Sequence, residues 1–404
     1  MSQIDSTEQF RKSLFTNIRF LTLLSGQGIS YFGDSIAAVA LPILVLHITG
    51  SGFFLGLVGF LELASLIVVG LPAGVWVDRW NRSKVMLAAD FGRAILIALI
   101  PIASMAHIAI MPVIIVVAIL SGILSVFFGA AYTGTISRIV PQEQLGSANG
   151  YFEAIESVAY ALGPSIAGIL SIKIGPALTL GLDALSFVVS GLAILSFIDH
   201  GIPPIPSSSK SNFIVEMQAG IDAVLKDPVI KAASWLWGTN RFVFAALIPT
   251  LTFYILKTLH GNSEQVGIAV SLYAVGSLVG TLLGSKIQQN MGVALSGQGL
   301  MLFGSALLST NIWFPTVFIS SALLGLGEGV LLVCYLTVRV RRMPEDIVGR
   351  VYTVTSSTTQ GMGAVGYLVV GILLSNWGGH ITWIVLASLC IISMIPSILM
   401  VKTS

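Results

Sequence analysis

Long apolar runs alternate along the chain with short breaks that are polar or carry glycine and proline. A helix rises 1.5 Å per residue, so about 20 apolar residues cross the ~30 Å hydrocarbon core of a bilayer. The runs fall at 19–47, 53–77, 84–106, 109–134, 148–172 and 176–198, and then at 231–256, 263–287, 293–313, 315–339, 348–375 and 380–401. The pattern predicts twelve transmembrane helices. One interval interrupts it for longer, at 199–230. It opens on a Pro/Ser linker from Gly201 to Ser211 and continues with Ile214, Met217, Ile221, Val224 and Leu225 at three- to four-residue spacing against Glu216, Asp222 and Lys226. That is an amphipathic helix too polar to span, expected to lie on the cytoplasmic face as a connector. The expected organisation is a six-helix bundle over 1–198, a linker over 199–230 and a second six-helix bundle over 231–404.

Charge in the connections gives the chain its sidedness. Of the 20 Lys and Arg, Arg93 and Arg241 fall well inside runs, only Lys173 and Lys257 fall in connections on one side, and the other 16 fall in connections, tails or run ends on the opposite side. A miscounted helix would scramble this alternation, so the positive-inside rule puts both termini in the cytoplasm. The polar N-terminal stretch shows no cleavable signal pattern, and the first run is a full-length anchor. The expected location is the inner membrane of a bacterium.

Composition narrows the function classes. The chain is 55% hydrophobic and 9% charged, against about a quarter charged in soluble domains; lipid must be the solvent for most of its surface. A net charge of +2 argues against nucleic acid or an acidic partner. Cys334 and Cys390 both sit in apolar runs, and His47, His107, His200, His260 and His380 are scattered, so neither a disulfide framework nor a metal site is expected. No H-E-x-x-H, G-x-S-x-G or phosphate-cradling loop occurs, and Phe32-Gly33-Asp34 is only a fragment of an intramembrane protease pattern. No catalytic residues, cofactor or ATP site are expected.

The halves repeat. A shift of 203 residues superposes Gly122 on Gly325, Tyr132 on Tyr335, Arg138 on Arg341, Pro141 on Pro344, Gly146 on Gly349, Gly163 on Gly366 and Gly168 on Gly371. A shift of 210 pairs Gly70 and Gly74 with Gly280 and Gly284. Six helices repeated in parallel predict two bundles related by a pseudo-two-fold axis along the membrane normal, with substrate bound near the midplane.

The connection after the second run reads Gly74-Val-Trp-Val-Asp78-Arg79-Trp-Asn81-Arg82-Ser-Lys84. It resembles the G-x-x-x-D-R-x-G-R-R/K signature of the major facilitator superfamily, in the loop where that family carries it. Gly163-Pro164-Ser-Ile-Ala167-Gly168 resembles the core of the superfamily's antiporter motif. SGQGISYFGDSI, AADFGRA, NFIVEMQAG and VGRVYTVTSS resemble most the drug:proton antiporter branch that holds macrolide-efflux proteins and the enterobactin exporter. The resemblance covers essentially the whole chain. It implies an all-α membrane protein with the major facilitator fold, exporting a bulky amphiphile (a drug, a macrolide or a siderophore) against protons by alternating access. A lipid or lysolipid flippase and a nutrient transporter are the alternatives on the same fold; a membrane-embedded enzyme or a non-transporting sensor would be a different class. The expected partners are protons, a small amphiphilic substrate and the bilayer. The expected energy source is the proton-motive force, and the expected working state a monomer. By the same resemblance, Asp78 caps the helix beginning near Gly349-Arg350, with Arg79, Arg82 and Lys84 completing a cytoplasmic gate. Asn81 departs from the signature's glycine, a change rationalised by the tolerance of Asn for left-handed backbone. In the second half Gln288 and Gln289 replace the Asp-Arg pair, and the fourth run lacks the family's arginine.

Charges inside spans are expensive and therefore functional candidates. Asp34, Glu62, Glu156, Arg241 and Glu328 lie near mid-span, on helices that line the cavity in the superfamily. Their expected role is proton coupling and substrate binding, with Arg241 holding a carboxylate ionised. Asp90 and Arg93, three apart on the third run, and Asp183 on the sixth read as structural. Ala159, Gly163 and Ala167 step by four and predict close helix packing, with Pro164 bending the helix beside Gly163. Tyr31, Phe32, Trp235, Trp237 and Tyr273 are candidates for stacking on substrate.

Overall fold

A computed structural model of the chain describes residues 14–77, 79–196, 213–310, 313–343 and 345–402. Among the described residues the regular structure is helical, with no strand. In chain order the helices are α1 (Ile18–Thr49), α2 (Gly52–Val77), α3 (Arg82–Met105), α4 (Ile110–Ile139), α5 (Leu145–Lys173), α6 (Pro176–Leu195) and α7 (Phe213–Lys226). There follow α8 (Pro228–Phe253), α9 (Ser263–Lys286), α10 (Met291–Thr310), α11 (Phe314–Arg342) and α12 (Glu345–Lys402). Among the described residues, eleven stretches are long and apolar enough to cross a bilayer. The last of them belongs to α12, which is two helices meeting at Gly378, where φ is 75° and ψ −176°.

Helix ends follow local chemistry. Asn81 caps α3, its side chain accepting from the Lys84 N–H at 3.1 Å. Its φ of −70° and ψ of 111° correct the left-handed expectation: Asn stands here for its carbonyl oxygen, not for its backbone tolerance. Gly175, at φ 85°, turns the chain into α6, with Pro176 in the first turn. Asp227 caps α8 through the N–H groups of Val229 and Ile230, at 2.8 and 3.0 Å, and Pro228 follows it. Asn262 and Gln265 form a reciprocal capping box at the start of α9. Gln289, which replaces an arginine of the first-half signature, donates to the Gly284 carbonyl at 2.9 Å and closes the end of α9.

The chain divides into two compact units, one made of residues 1–41 and 64–208, the other of residues 42–63 and 209–404. In the first unit α3 packs on both α4 and α6. In the second, α9 packs on α11, α8 on α12, and α10 on α11 and α12; the amphipathic helix α7 packs on α12. The last turns of α1 and the first half of α2 pack with the second unit. Gly52, Gly56 and Gly59 explain this placement. A Cβ on Gly56 would meet the Tyr367 carbonyl and the Gly371 backbone, one on Gly59 the Tyr367 ring, and one on Gly52 Leu374. Without side chains in the way, this segment of α2 lies directly on the backbone of α12.

Two charged clusters and the family of the chain

The second unit places Glu328 by glycine packing. On α9, Cβ atoms at Gly276 and Gly280 would run into the carbonyls of Ala322 and Leu326; on α11, those at Gly325 and Gly329 would run into the carbonyls of Tyr273 and Ser277. The two helices therefore touch backbone to backbone, and the first polar groups Glu328 meets belong to α9. The Tyr273 hydroxyl donates to Glu328 Oε2 at 2.5 Å and Ser277 Oγ at 3.2 Å. Glu328 is 7% exposed, so two donated hydrogen bonds replace much of its lost hydration. Arg241 on α8 lies within electrostatic reach of Glu328, Tyr273 and Tyr367, and Glu62 on α2 within reach of Tyr367. Three of the five mid-span candidates, Glu62, Arg241 and Glu328, thus belong to one cluster with two tyrosines.

The other two belong to the first unit. Asp34 on α1 lies within reach of Glu156 on α5, and both within reach of Tyr31. Tyr132 on α4 adjoins Tyr31 and stacks on Phe128, with ring centroids 5.9 Å apart, while Glu153 extends the acidic group one turn below Glu156. The α1–α5 contact is set by Gly163, where a Cβ would land on Ser35 Oγ. Ala159, Gly163, Pro164, Ala167 and Gly168 are all buried along that face. By sequence the mid-span acids divide three to one between the halves; because Glu62 packs with the second unit, each unit holds two.

The remaining candidates are dispersed. Trp237 is buried and stacks on Tyr335 at 5.3 Å with planes 12° apart, whereas Trp235 is exposed on α8. Phe32 is partly buried on α1, and Tyr273 is committed to Glu328. In the loop signature Arg82 donates to the Gly134 carbonyl of α4 at 3.1 Å, Arg79 and Lys84 are exposed, and Gly74 lies within α2. Asp78 and the Arg350 side chain lie outside the described residues. Tyr132 and Tyr335 were legible as repeat partners but not as site residues; Tyr367 carried no signal at all.

Helices in this order, carrying this loop signature, match the Major Facilitator Superfamily over residues 23–248 and 238–403. The chain belongs to this superfamily. Multidrug efflux pump Tap of Mycobacterium tuberculosis is 28% identical over 384 residues, aligning 92% of this chain and 89% of that protein. Macrolide efflux protein A of Streptococcus pyogenes is 25% identical over 382 residues, aligning 93% and 94%. Among solved structures, the nucleoside transporter NupG superposes with a TM-score of 0.72 at 14% identity, covering 95% of this chain and 99% of that one. A bacterial homologue of the iron transporter ferroportin gives 0.72 at 17%, covering 95% and 98%. These likenesses show the fold, that of a multi-pass membrane transporter.

Proposed function

We propose that this superfamily member exports a bulky amphiphilic small molecule from the bacterial cytoplasm, driven by inward proton flow. The reading rests on one observation above others: each compact unit holds a cluster of intramembrane carboxyls and tyrosines, and only the second unit's cluster has Arg241 beside it. Carboxyls kept in a low-dielectric setting exchange protons readily when a neighbour's charge changes, which is the equipment antiport needs. The efflux proteins Tap and macrolide efflux protein A, similar over nearly the full chain, support outward transport of drugs, with a macrolide as the first substrate to try. Siderophore export is the second reading, carried only by the sequence resemblance. The proton-motive force is the sole energy source in this scheme, with no cofactor, and the monomer in the bilayer is the working form. The chain sits in the inner membrane with both termini in the cytoplasm, an orientation supported by the 16-to-2 split of loop cations.

Everted vesicles test the proposal. Uptake of erythromycin should require an imposed proton gradient and collapse with a protonophore. Gradient-independent uptake, or undiminished transport in Asp34→Asn, Glu62→Gln, Glu156→Gln and Glu328→Gln alike, would refute proton coupling.

A further inference from the structure

The last turn of α11 carries three arginines, Arg339, Arg341 and Arg342. Arg341 and Arg342 are exposed, and Arg342 has Asp227 at 3.2 Å. Arg339 turns inward: it is 9% exposed and has no carboxylate partner among the described residues. Aromatic rings and hydroxyls surround it instead. Its Cζ lies 5.0 Å from the Tyr335 centroid and 4.7 Å from the Tyr352 centroid. Nη1 donates to the Tyr335 hydroxyl at 3.3 Å and to Thr355 Oγ1 at 3.4 Å. Rings and long hydrogen bonds stabilise a guanidinium without neutralising it, and a buried charge that lacks a counter-ion is expensive.

The repeat shows that the fold does not need a cation at this position. Shifted by 203 residues, which aligns Tyr335 with Tyr132, Arg339 falls on Ile136 and Thr355 on Phe152. In the first unit those two side chains are buried in one apolar cluster, and Tyr132 meets Phe152 edge-on at 5.5 Å. The second unit has a guanidinium and a hydroxyl where the first has that apolar contact. The donors left over suit a ligand. With Nη1 spent, Nε and Nη2 remain, and they form the edge of a guanidinium that grips an oxyanion through two parallel hydrogen bonds. Neither has a hydrogen-bond partner among the described residues. Thr355 gives its own proton to the Val351 carbonyl at 2.8 Å, so it faces Arg339 as an acceptor. The Tyr335 hydroxyl accepts from Arg339, and its own proton meets no acceptor among the described residues. Tyr352 is 55% exposed, and Leu336 and Val340 on the adjoining face of α11 are exposed as well. Apolar surface thus lies beside the charged fork.

We propose that Arg339 centres a binding site for the oxyanion head of an anionic amphiphile, entered from the cationic end of α11. The Nε and Nη2 edge holds two oxygens of the head, and the Tyr335 hydroxyl donates to one of them. The amphiphile's chain lies over Leu336, Val340 and Tyr352. No bond is made or broken; the ligand supplies the negative charge that the buried guanidinium lacks. A phospholipid of the bilayer and an exported amphiphile share this chemistry. As a contact for cargo the site rests on the export reading above; as a binding site it does not.

Titration of the full chain in maltoside micelles tests the site. The readouts are the thermal midpoint and the fluorescence of Trp237, which stacks on Tyr335. Decyl phosphate should raise the midpoint and change an emission component that Trp237→Phe removes; decyltrimethylammonium should do neither. Arg339→Met should bind decyl phosphate at least about tenfold more weakly. Without the probe it should unfold at or above the wild-type midpoint, because the unmatched charge is gone. Arg339→Lys keeps the charge but not the fork and should fall between the two. Should Arg339→Met fail to fold, Tyr352→Leu at its exposed position should still weaken binding severalfold. A wild type that ignores the probe, with an Arg339→Met that unfolds earlier, marks a structural cation and overturns the proposal. Glu345 and Asp346, whose side chains lie outside the described residues, are the rivals within the chain. If either fills the fork, wild type stays silent and the Glu345→Gln, Asp346→Asn double variant gains the response, which also overturns it. Inorganic phosphate as effective as decyl phosphate would overturn the amphiphile. Phosphatidylglycerol that matches decyl phosphate, with no uptake of decyl phosphate into everted vesicles, assigns the site to bilayer lipid; gradient-driven uptake of decyl phosphate assigns it to cargo. Gradient-independent erythromycin uptake with the titration as expected sinks proton-coupled export and keeps the site; gradient-driven uptake with a silent titration does the reverse.

Discussion

Replacing Tyr273 by Phe removes one hydroxyl and leaves the ring, so it isolates the 2.5 Å bond to Glu328. A hydrogen bond to a charged group contributes about 1.5–3 kcal/mol and one between neutral groups about 1 kcal/mol. The short distance and the burial of Glu328 favour the upper range. Ser277, at 3.2 Å and only part-buried, is the longer partner, and Ser277→Ala should cost about 0.5–1.5 kcal/mol. The measurement is a double-mutant cycle with Glu328→Gln, using reversible denaturant unfolding in mixed micelles. The amide introduced by Glu328→Gln still offers a carbonyl to the phenol but no charge, so Tyr273→Phe should cost less in that background, by about 1 kcal/mol or more of coupling. If Tyr273→Phe costs the same in both backgrounds, the hydroxyl is not reading the carboxyl. The account of the second-unit cluster would then fail.

Three other perturbations test the architecture. Gly163→Ala puts a methyl on Ser35 Oγ and should destabilise by about 1–3 kcal/mol, with Ser35→Gly restoring much of the loss in a thermal-shift assay. Gly378→Ala should cost about 1–3 kcal/mol from backbone strain alone, since nothing lies near its missing Cβ. Gly378→Asn should fare no better, because ψ of −176° is not the left-handed helical well that Asn tolerates. At Asp227, burial pushes the carboxyl up, but the N–H groups of Ile230 and Val229 and the Arg342 guanidinium at 3.2 Å outweigh it and hold the group below the usual range. A lowered folded-state value means that the stabilisation is present above the unfolded pKa, about 3.9, and is lost as pH falls through the folded value. Asp227→Ala should therefore cost about 1 kcal/mol near pH 7, a difference from wild type that narrows below about pH 4 in pH-dependent unfolding.

The spans were legible because lipid leaves little choice: an apolar run of membrane length must be a helix. Residue types in the site were legible for the same reason, since every mid-span charge is conspicuous. Partnership was not. That Glu328 meets Tyr273 rather than another tyrosine depends on glycine notches on two helices facing each other, and one sequence does not reveal helix rotation. The grouping of Glu62 with Arg241 was hidden because it depends on Gly52, Gly56 and Gly59 carrying half of α2 onto α12. Asp90 and Arg93 were visible as an i, i+3 pair, but spacing along one helix says nothing about the two rings that arrive from others.

The segment 42–63 bears on how such a chain could be cut. A gene divided at the linker would make two polypeptides, of which only the first contains a whole compact unit: the second would lack the row of glycines that covers α12, and the first would carry that surface with nothing to cover. Co-expressed fragments should therefore reconstitute together or not at all, and a fragment starting near 209 should aggregate when made alone. With residues 42–63 counted in the second unit, that unit is discontinuous in sequence and its two parts must be made together.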